Sequence, residues 1–551
     1  MNPSPQKPVG SISVKEEYMV ILLRPPFMAD ALDVVTRSFN INNKLGPKLE
    51  VAAEQNAILR IGWTNAGDPV PKNGELGLCP AIPEGAKIRA LGTLGSWTAA
   101  FGKGGSFNIQ GDSGSFLGAA NNGNVITCER SAGNYSGFAM ASGKISILDG
   151  CGDDLGSCMT GGLIVVRGNA GLRVGGGMSG GIIVVDGDIG NDPGAGMTGG
   201  KIIVNGRCPN PPDGVVLRPI TEAELTKLNK EINDDNFQIP NDSVCLESSD
   251  SNNVLTKDKV VSAGDLSMIG LVPADSPRNM SYATCDTVAL LGERSETNTP
   301  IALPLPLFPI LQDGEILSAD KQKNPSKLVE KQPFIVSENP RSIDFLALNV
   351  NNLTHATDAL TGCGGVVVDM MNMPSMNAEE IDGMLVAIRS LVGIEKPFGF
   401  SNGVGRIESL HSSSSYHNAD ISICVIEDET GISEAASLPL IGRSNKSNLA
   451  NTYTESGISI GFSANAEDVA KLCAAGLKFV CSTVPAEDYQ QIVEWLSKIH
   501  AELADTLQRL GLESIDALSR QNLRALDYET AAVSGLRLTG YERPLPHWFA
   551  R

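Results

Sequence analysis

Pairs of apolar residues set two positions apart recur between residues 85 and 207 with a constant step of 19: Ile88 and Ala90, Phe107 and Ile109, Ile126 and Cys128, Ile145 and Ile147, Ile164 and Val166, Ile183 and Val185, Ile202 and Val204. A spacing of two puts both side chains on one face of a strand. Runs such as Leu163-Ile164-Val165-Val166 are mostly β-branched and too short for helices. Glycines keep the same step in three series, from Gly95 to Gly190, from Gly118 to Gly194 and from Gly143 to Gly200, and glycine supplies corners with positive φ. Met140, Met159, Met178 and Met197 share the register. One such unit cannot bury its apolar face, whereas a stack of them shares a continuous core. The pattern predicts a right-handed parallel β-helix built from 19-residue repeats. Its methionines read as a stacked core ladder, or alternatively as an adaptable binding surface.

The flanks read differently. Residues 1–84 form an N-terminal cap region, with a strand at Tyr18–Leu23, a short helix at Ala31–Arg37 and a strand at Ala57–Trp63. Pro209-Asn210-Pro211-Pro212 stops the repeat, and Thr221, with Glu224 three positions on, opens a helix to Ile232 that is expected to cover the C-terminal end of the stack. These elements complete a domain over residues 85–235. Residues 236–265 are polar and read as a linker. From 266 to 551 strands alternate with helices, as in a parallel α/β layer or barrel. Expected strands are Ile343–Val350, Gly365–Met370, Pro397–Phe400, Ala419–Ile426, Ile458–Phe462 and Phe479–Ser482. Expected helices are Ala378–Leu391, Ala466–Ala475 and Gln490–Leu510. The stretch from Ile343 to Thr483 has room for five or six strands. A multidomain chain is therefore expected, ending in a degenerate TIM-barrel-like domain that lacks about a third of its length, near residues 310–340.

Composition narrows the function classes. The 551 residues carry a net charge of −20, from 63 acidic and 43 basic residues. That argues against nucleic acid and anionic membrane as partners. The 11 cysteines are scattered without a Cys-x-x-Cys pair and read as free thiols of a reducing cytoplasm. No signal peptide and no membrane-spanning run is expected. His411 and His417 flank a serine run in what reads as a polar loop, with no further ligand at metal-site spacing, so no metal site is expected. Asp369 ends a strand at the rim where barrel chemistry resides.

Met178-Ser179-Gly180-Gly181-Ile182-Ile183-Val184-Val185 and Gly187-Asp188-Ile189-Gly190 resemble the glycine-repeat (GXGXG) β-helix of the glutamate synthase large subunit, and equally the β-helix subunit of formylmethanofuran dehydrogenase and its formyltransferase/hydrolase relative. Asp192-Pro193-Gly194-Ala195-Gly196-Met197 leans towards the second group. Three further stretches resemble the FMN domain of glutamate synthase: Cys285-Asp286-Thr287-Val288 through Leu303–Ile310, Glu467-Asp468-Val469-Ala470-Lys471 with Ala475-Gly476, and the terminal helix with Arg520–Leu526 and Leu538-Thr539-Gly540. The resemblance implies an FMN phosphate held near Gly461, Ser463 and Thr483. It also implies partner chains, either glutaminase-like and oxidoreductase subunits of glutamate biosynthesis or formyltransferase-like subunits of one-carbon metabolism. Three features depart from that pattern. Ser482 stands where glycine would fall, a glycine-rich loop is replaced by Glu427-Asp428-Glu429, and the cysteines of an iron–sulfur cluster are missing. No cysteine follows Met1, so glutaminase activity is not expected in this chain. Two readings stay open, a divergent flavin site or a barrel kept for packing and docking. A non-catalytic scaffold is the third.

Overall fold

The computed structural model describes residues 29–62, 74–232, 237–249, 265–273, 280–289, 301–318, 325–427, 430–486 and 488–541. The strand expected at Tyr18–Leu23 lies outside them. The short helix expected at Ala31–Arg37 is instead the 26-residue α1, Ala29–Glu54. It places Ile41, Leu45 and Leu49, one helical turn apart, in the core of the repeat region.

That region is a ladder of parallel strands. Ile58–Ile61 (β1) leads to Lys87–Leu91 (β2), Ser106–Gln110 (β3), Asn122–Cys128 (β4) and Ser142–Ile147 (β5). Leu163–Val166 (β6), Ile182–Val185 (β7) and Lys201–Val204 (β8) continue it. The apolar column pairs in register, Ile88 with Phe107, Phe107 with Ile126, and onward through Ile145, Ile164 and Ile183 to Ile202. A second row of parallel bridges, Glu75, Leu94, Ser113, Ala132, Cys151 and Ala170, keeps the same step on another side of the stack.

The methionines explain part of the glycine pattern. Met140, Met159 and Met178 are fully buried, which sets aside their reading as a binding surface. A Cβ on Gly162 would lie 2.5 Å from the Cε of Met140, and one on Gly181 would lie 2.5 Å from that of Met159. The methyl of one coil therefore fills the space that a side chain would need in the next. Polar side chains tie the outer corners. Asn134 Oδ1 accepts from the Asp153 N–H, and Asp153 Oδ1 accepts from the Leu172 N–H, both at 2.8 Å.

Beyond β8 two expectations change. Glu222–Ile232 (α2) does form. It lies on the outer face of the last strands, packing Leu228 and Ile232 on Leu163, Val165, Val184 and Ile203, instead of covering the end. The end is covered by Val215–Pro219 (β9) and Val244–Ser248 (β10), with β10 antiparallel to both β8 and β9. Residues 237–249, read as linker from their polarity, are thus part of this closure: Leu246 packs into the ladder's interior and Cys245 packs on the opposite face, beneath α2.

Ile269–Leu271 (β11) pairs with Leu523–Ala525 (β22), and Thr287–Ala289 (β12) pairs with Ile301–Leu303 (β13). A closed barrel of eight parallel strands follows: Leu307–Asp313 (β14), Ile335–Glu338 (β15), Phe345–Leu348 (β16), Gly365–Asp369 (β17), Phe398–Gly403 (β18), Ile421–Val425 (β19), Glu455–Ile460 (β20) and Phe479–Thr483 (β21). The degenerate barrel of five or six strands is therefore corrected. The two uncounted strands lie in the very stretch expected to be lost. They escape the strand–helix rhythm because, among the described residues, a short 3-10 turn, Gly314–Leu317, and a five-residue helix, Lys327–Lys331 (α3), are what separates them, and because no helix joins β15 to β16. Shortened connections, not missing strands, make the barrel small. Phe308 meets Phe345 and Phe479 edge-on at 5.2 and 5.0 Å inside it.

The outer helices are Ala356–Gly362 (α4), Ala378–Val392 (α5), Ile407–Tyr416 (α6), Glu434–Ser444 (α7), Ala466–Ala474 (α8), Tyr489–Leu510 (α9) and Tyr528–Ser534 (α10). The ladder packs against α4 and α5. Trp97, Phe116 and Tyr135, each 19 residues after the last, stack at 4.8 Å and join one core with Leu360, Ile381 and Met384. Backbones meet here directly, since a Cβ on Gly77 would lie 2.5 Å from the Gly383 carbonyl oxygen and one on Gly383 would lie 2.9 Å from that of Ser96. Beyond the seam the same column carries Asp154 and Arg173, paired at 2.8 Å.

A substitution separates the two demands on the repeat glycines. Gly181 and Gly196 both have positive φ, but only Gly181 is crowded. Gly181→Ala is expected to lose about 2–3 kcal/mol, against about 1 kcal/mol for Gly196→Ala. Denaturant unfolding followed by circular dichroism measures the difference, and equal losses would contradict the methionine–glycine account.

Candidate functional site

Catalytic groups of α/β barrels gather where the strands end at their C-terminal edge. At this edge β20 runs into Gly461, Phe462, Ser463 and Ala464 before α8, and β21 ends at Ser482 and Thr483. Gly461, Ser463 and Thr483 thus lie on neighbouring strand ends. Gly461 faces open space, for a Cβ there would meet nothing within 4 Å. Ser463 Oγ donates to the Thr483 carbonyl at 2.8 Å.

Ser482 decides what this corner can hold. Its side chain is fully buried, and its Oγ accepts from the Ala464 N–H at 2.8 Å while donating to the Phe462 carbonyl at 3.3 Å. The next donors are also used. Asn465 Oδ1 accepts from the Glu467 and Asp468 N–H groups, and Asp468 Oδ2 accepts from the Asn465 N–H at 3.1 Å, a closed capping box at the start of α8. A phosphate bound here would need those N–H groups. The protein's own oxygens satisfy these four, so they are not free for a flavin phosphate.

The rest of the rim is acidic. Asp369 ends β17, with its Oδ1 accepting from the Met371 N–H at 3.0 Å, and burial pushes its carboxyl above the usual range against opposing hydrogen bonds, including those of Asn372 and Ser401. The Glu427 carboxylate lies over Gly403, where a Cβ would sit 2.3 Å from its Oε2. Asp428 and Glu429 lie outside the described residues.

The two imidazoles do not form a site. The expected polar loop is helix α6, and His411 is fully buried with Nδ1 2.9 Å from Ser444 Oγ on α7. His417 instead faces Asp382 of α5, at 3.1 Å. The serine run hid the helix because its apolar positions, Ile407 and Leu410, are few. Among the described residues no group of His, Cys, Asp or Glu could hold a metal ion, and no helix is long and apolar enough to cross a membrane.

No protein-family model matches the sequence, and no curated protein matches it. Among solved structures, the barrel half is similar to a flavocytochrome b2 variant with bound sulfite, with 14% identity and a TM-score of 0.35 over 47% of this chain and 76% of that one. It is similar too to a mandelate oxidase variant with a C4a-OH-FMN adduct, with 13% identity and a TM-score of 0.32 over 47% and 87%. A third is the monotopic membrane protein (S)-mandelate dehydrogenase, with 12% identity and a TM-score of 0.33 over 47% and 89%. Likeness at this level speaks to no activity.

His411 yields a pH prediction. Burial pushes its pKa down to about 4, from an ordinary 6.5. Above pH 6.5 the ring is neutral folded or unfolded and contributes nothing. As pH falls from 6.5 towards 4 the unfolded chain takes up the proton first, so stability drops, by up to roughly 3 kcal/mol. His411→Gln should flatten the slope of unfolding free energy against pH in that window. An unchanged slope would show that His411 is not the titrating group.

Proposed function

We propose that this chain is a docking and assembly subunit of a glutamate-synthase-like complex, one that binds separate glutaminase-like and oxidoreductase chains in the cytoplasm. We infer also that its 19-residue ladder is a right-handed parallel β-helix of the glycine-repeat kind. The observation that carries the docking reading is the corner between β20 and β21. There Ser482 Oγ takes the Ala464 N–H and the α8 capping box takes those of Asn465, Glu467 and Asp468. A barrel that uses these four donors for its own oxygens supports a structural use over a flavin-dependent one. Burial of the thiols agrees with this, pushing Cys128 and Cys363 up to about 11 and leaving neither poised as a nucleophile. Fused to a rigid stack of coils, such a barrel offers broad surfaces at fixed spacing, which is what a subunit that positions others needs.

Purification from its own cell with associated chains tests this. The expected preparation shows no visible flavin absorption in the isolated chain and contains glutaminase-like and oxidoreductase subunits. Stoichiometric flavin on the isolated chain would overturn the docking reading. Co-purifying formyltransferase-like and amidohydrolase-like chains would replace it with the one-carbon assembly.

A further inference from the structure

A small sheet packs on α8, tied there by Lys471 Nζ, which donates to the Leu266 carbonyl at 2.9 Å. Its strands are β11 and β22, and a parallel bridge from Ala525 to Leu538 adds a third segment beside β22. Side chains alternate across such a sheet. Ile269, Leu523 and Ala525 point inward and are buried in the main core. Arg524 and Leu526 therefore point outward, as does Arg537 on the added segment. Gly270, the partner of Arg524 on β11, has no side chain, and a Cβ there would lie 3.0 Å from Leu526 Cδ2.

The bridge fixes how the charges sit. The Ala525 N–H donates to the Arg537 carbonyl at 2.8 Å, and the Thr539 N–H donates to the Ala525 carbonyl at 2.9 Å. That register sets Arg524 beside Arg537 on adjacent strands, where like charges repel. Arg520 stands at the same end. Its guanidinium donates to the Ser534 carbonyl at 2.6 Å, and Arg524 reaches back to the Gln521 carbonyl at 2.8 Å. Burial pushes Arg520 below its ordinary pKa, and no carboxylate opposes it.

Among the described residues these three arginines form no ion pair, and the bonds of Arg520 and Arg524 go to backbone carbonyls. Nearby carboxylates are turned elsewhere. Asp527 Oδ1 accepts from the Thr530 N–H at the start of α10, at 2.6 Å, and Asp265 Oδ1 accepts from the Ser267 N–H at 2.8 Å. In a chain of net charge −20, this face is a local reversal of sign. Large apolar side chains adjoin it. Leu526, Met268 and Tyr541 are all exposed, and the Leu526 N–H donates to the Met268 carbonyl at 2.9 Å.

We propose that this face docks an acidic segment of a partner chain, one that alternates carboxylates with apolar residues. Its carboxylates pair with Arg520, Arg524 and Arg537, whose planar forks suit them. Its apolar residues cover Leu526, Met268 and Tyr541. A free phosphate would leave those side chains uncovered, and an anionic membrane would be repelled by the net charge of the chain. The proposal rests on the docking reading only in requiring a partner, since the face and the chemistry of that partner follow from the arginines.

Fluorescence anisotropy of the full chain with a labelled peptide of alternating Glu and Leu tests it. A peptide with Lys in place of Glu is the control, and inorganic phosphate and vesicles of equal parts phosphatidylcholine and phosphatidylserine are competitors. The Glu–Leu peptide should bind in the micromolar to submillimolar range at low salt and weaken as salt rises. Arg524→Gln combined with Arg537→Gln should weaken it about tenfold, and Arg537→Gln alone about threefold. Both variants relieve a like-charge contact, so neither should unfold below the natural chain, which is checked in parallel. Absence of binding by the Glu–Leu peptide overturns the proposal. So does binding unchanged in both variants, a Lys–Leu peptide held as tightly, or displacement by phosphate or vesicles at the peptide's own concentration. Partner chains that co-purify equally with the natural chain and the double variant would overturn this face and leave the docking reading standing. Peptide binding that the variants weaken, with no co-purifying chain, would do the reverse.

Discussion

The whole parallel ladder depends on register between successive strands. Each strand from β2 to β8 sets its apolar pair directly beneath the same pair 19 residues later, so a change of one residue in any coil would turn its core face outward. The methyl of Met159 over Gly181 shows how little tolerance is left. Glycine is demanded there twice, by positive φ and by the atom above it. Such a stack is stiff because each coil is held by backbone pairing on more than one side, through the main sheet and through the bridges from Glu75 to Ala170.

The same register makes the joint to the barrel. Side chains in one column face one way, so Trp97, Phe116 and Tyr135 form a continuous aromatic strip. The column turns to Asp154 and Arg173 where the strip leaves the barrel. On the other side, α5 brings Gly383 against the ladder backbone and holds Asp382 within reach of His417. The helix that contacts the ladder is therefore also fastened into the barrel's outer layer. The gap where no helix joins β15 to β16 is left as a cavity of about 660 Å3, bordered by Asn339, Asn352 and His355.

How much of this was legible depended on periodicity. A strict step of 19 carried the strand positions and their register, because every coil repeats one local problem. The barrel's first two strands were not legible. Leu307–Asp313 contains a proline and Ile335–Glu338 is only four residues long, and with no longer helix than α3 among the described residues between them no alternation signals a barrel. Ser482 could be seen standing in a glycine position, but its capture of the Ala464 N–H is a contact between strand ends that only folding creates. Gly383 carried an unread signal: glycine inside an otherwise good helix costs about 1 kcal/mol, which asks for a close neighbour.

The central claim is that the ladder and the barrel are one cooperative body, joined through the aromatic strip and the Gly77–Gly383 approach. Differential scanning calorimetry tests this most directly, comparing the full chain with Gly383→Leu, which drives a side chain into the Ser96 backbone. The account predicts one transition for the natural sequence and two separated transitions for the variant. Two transitions in the natural chain, unmoved by Gly383→Leu, would contradict it.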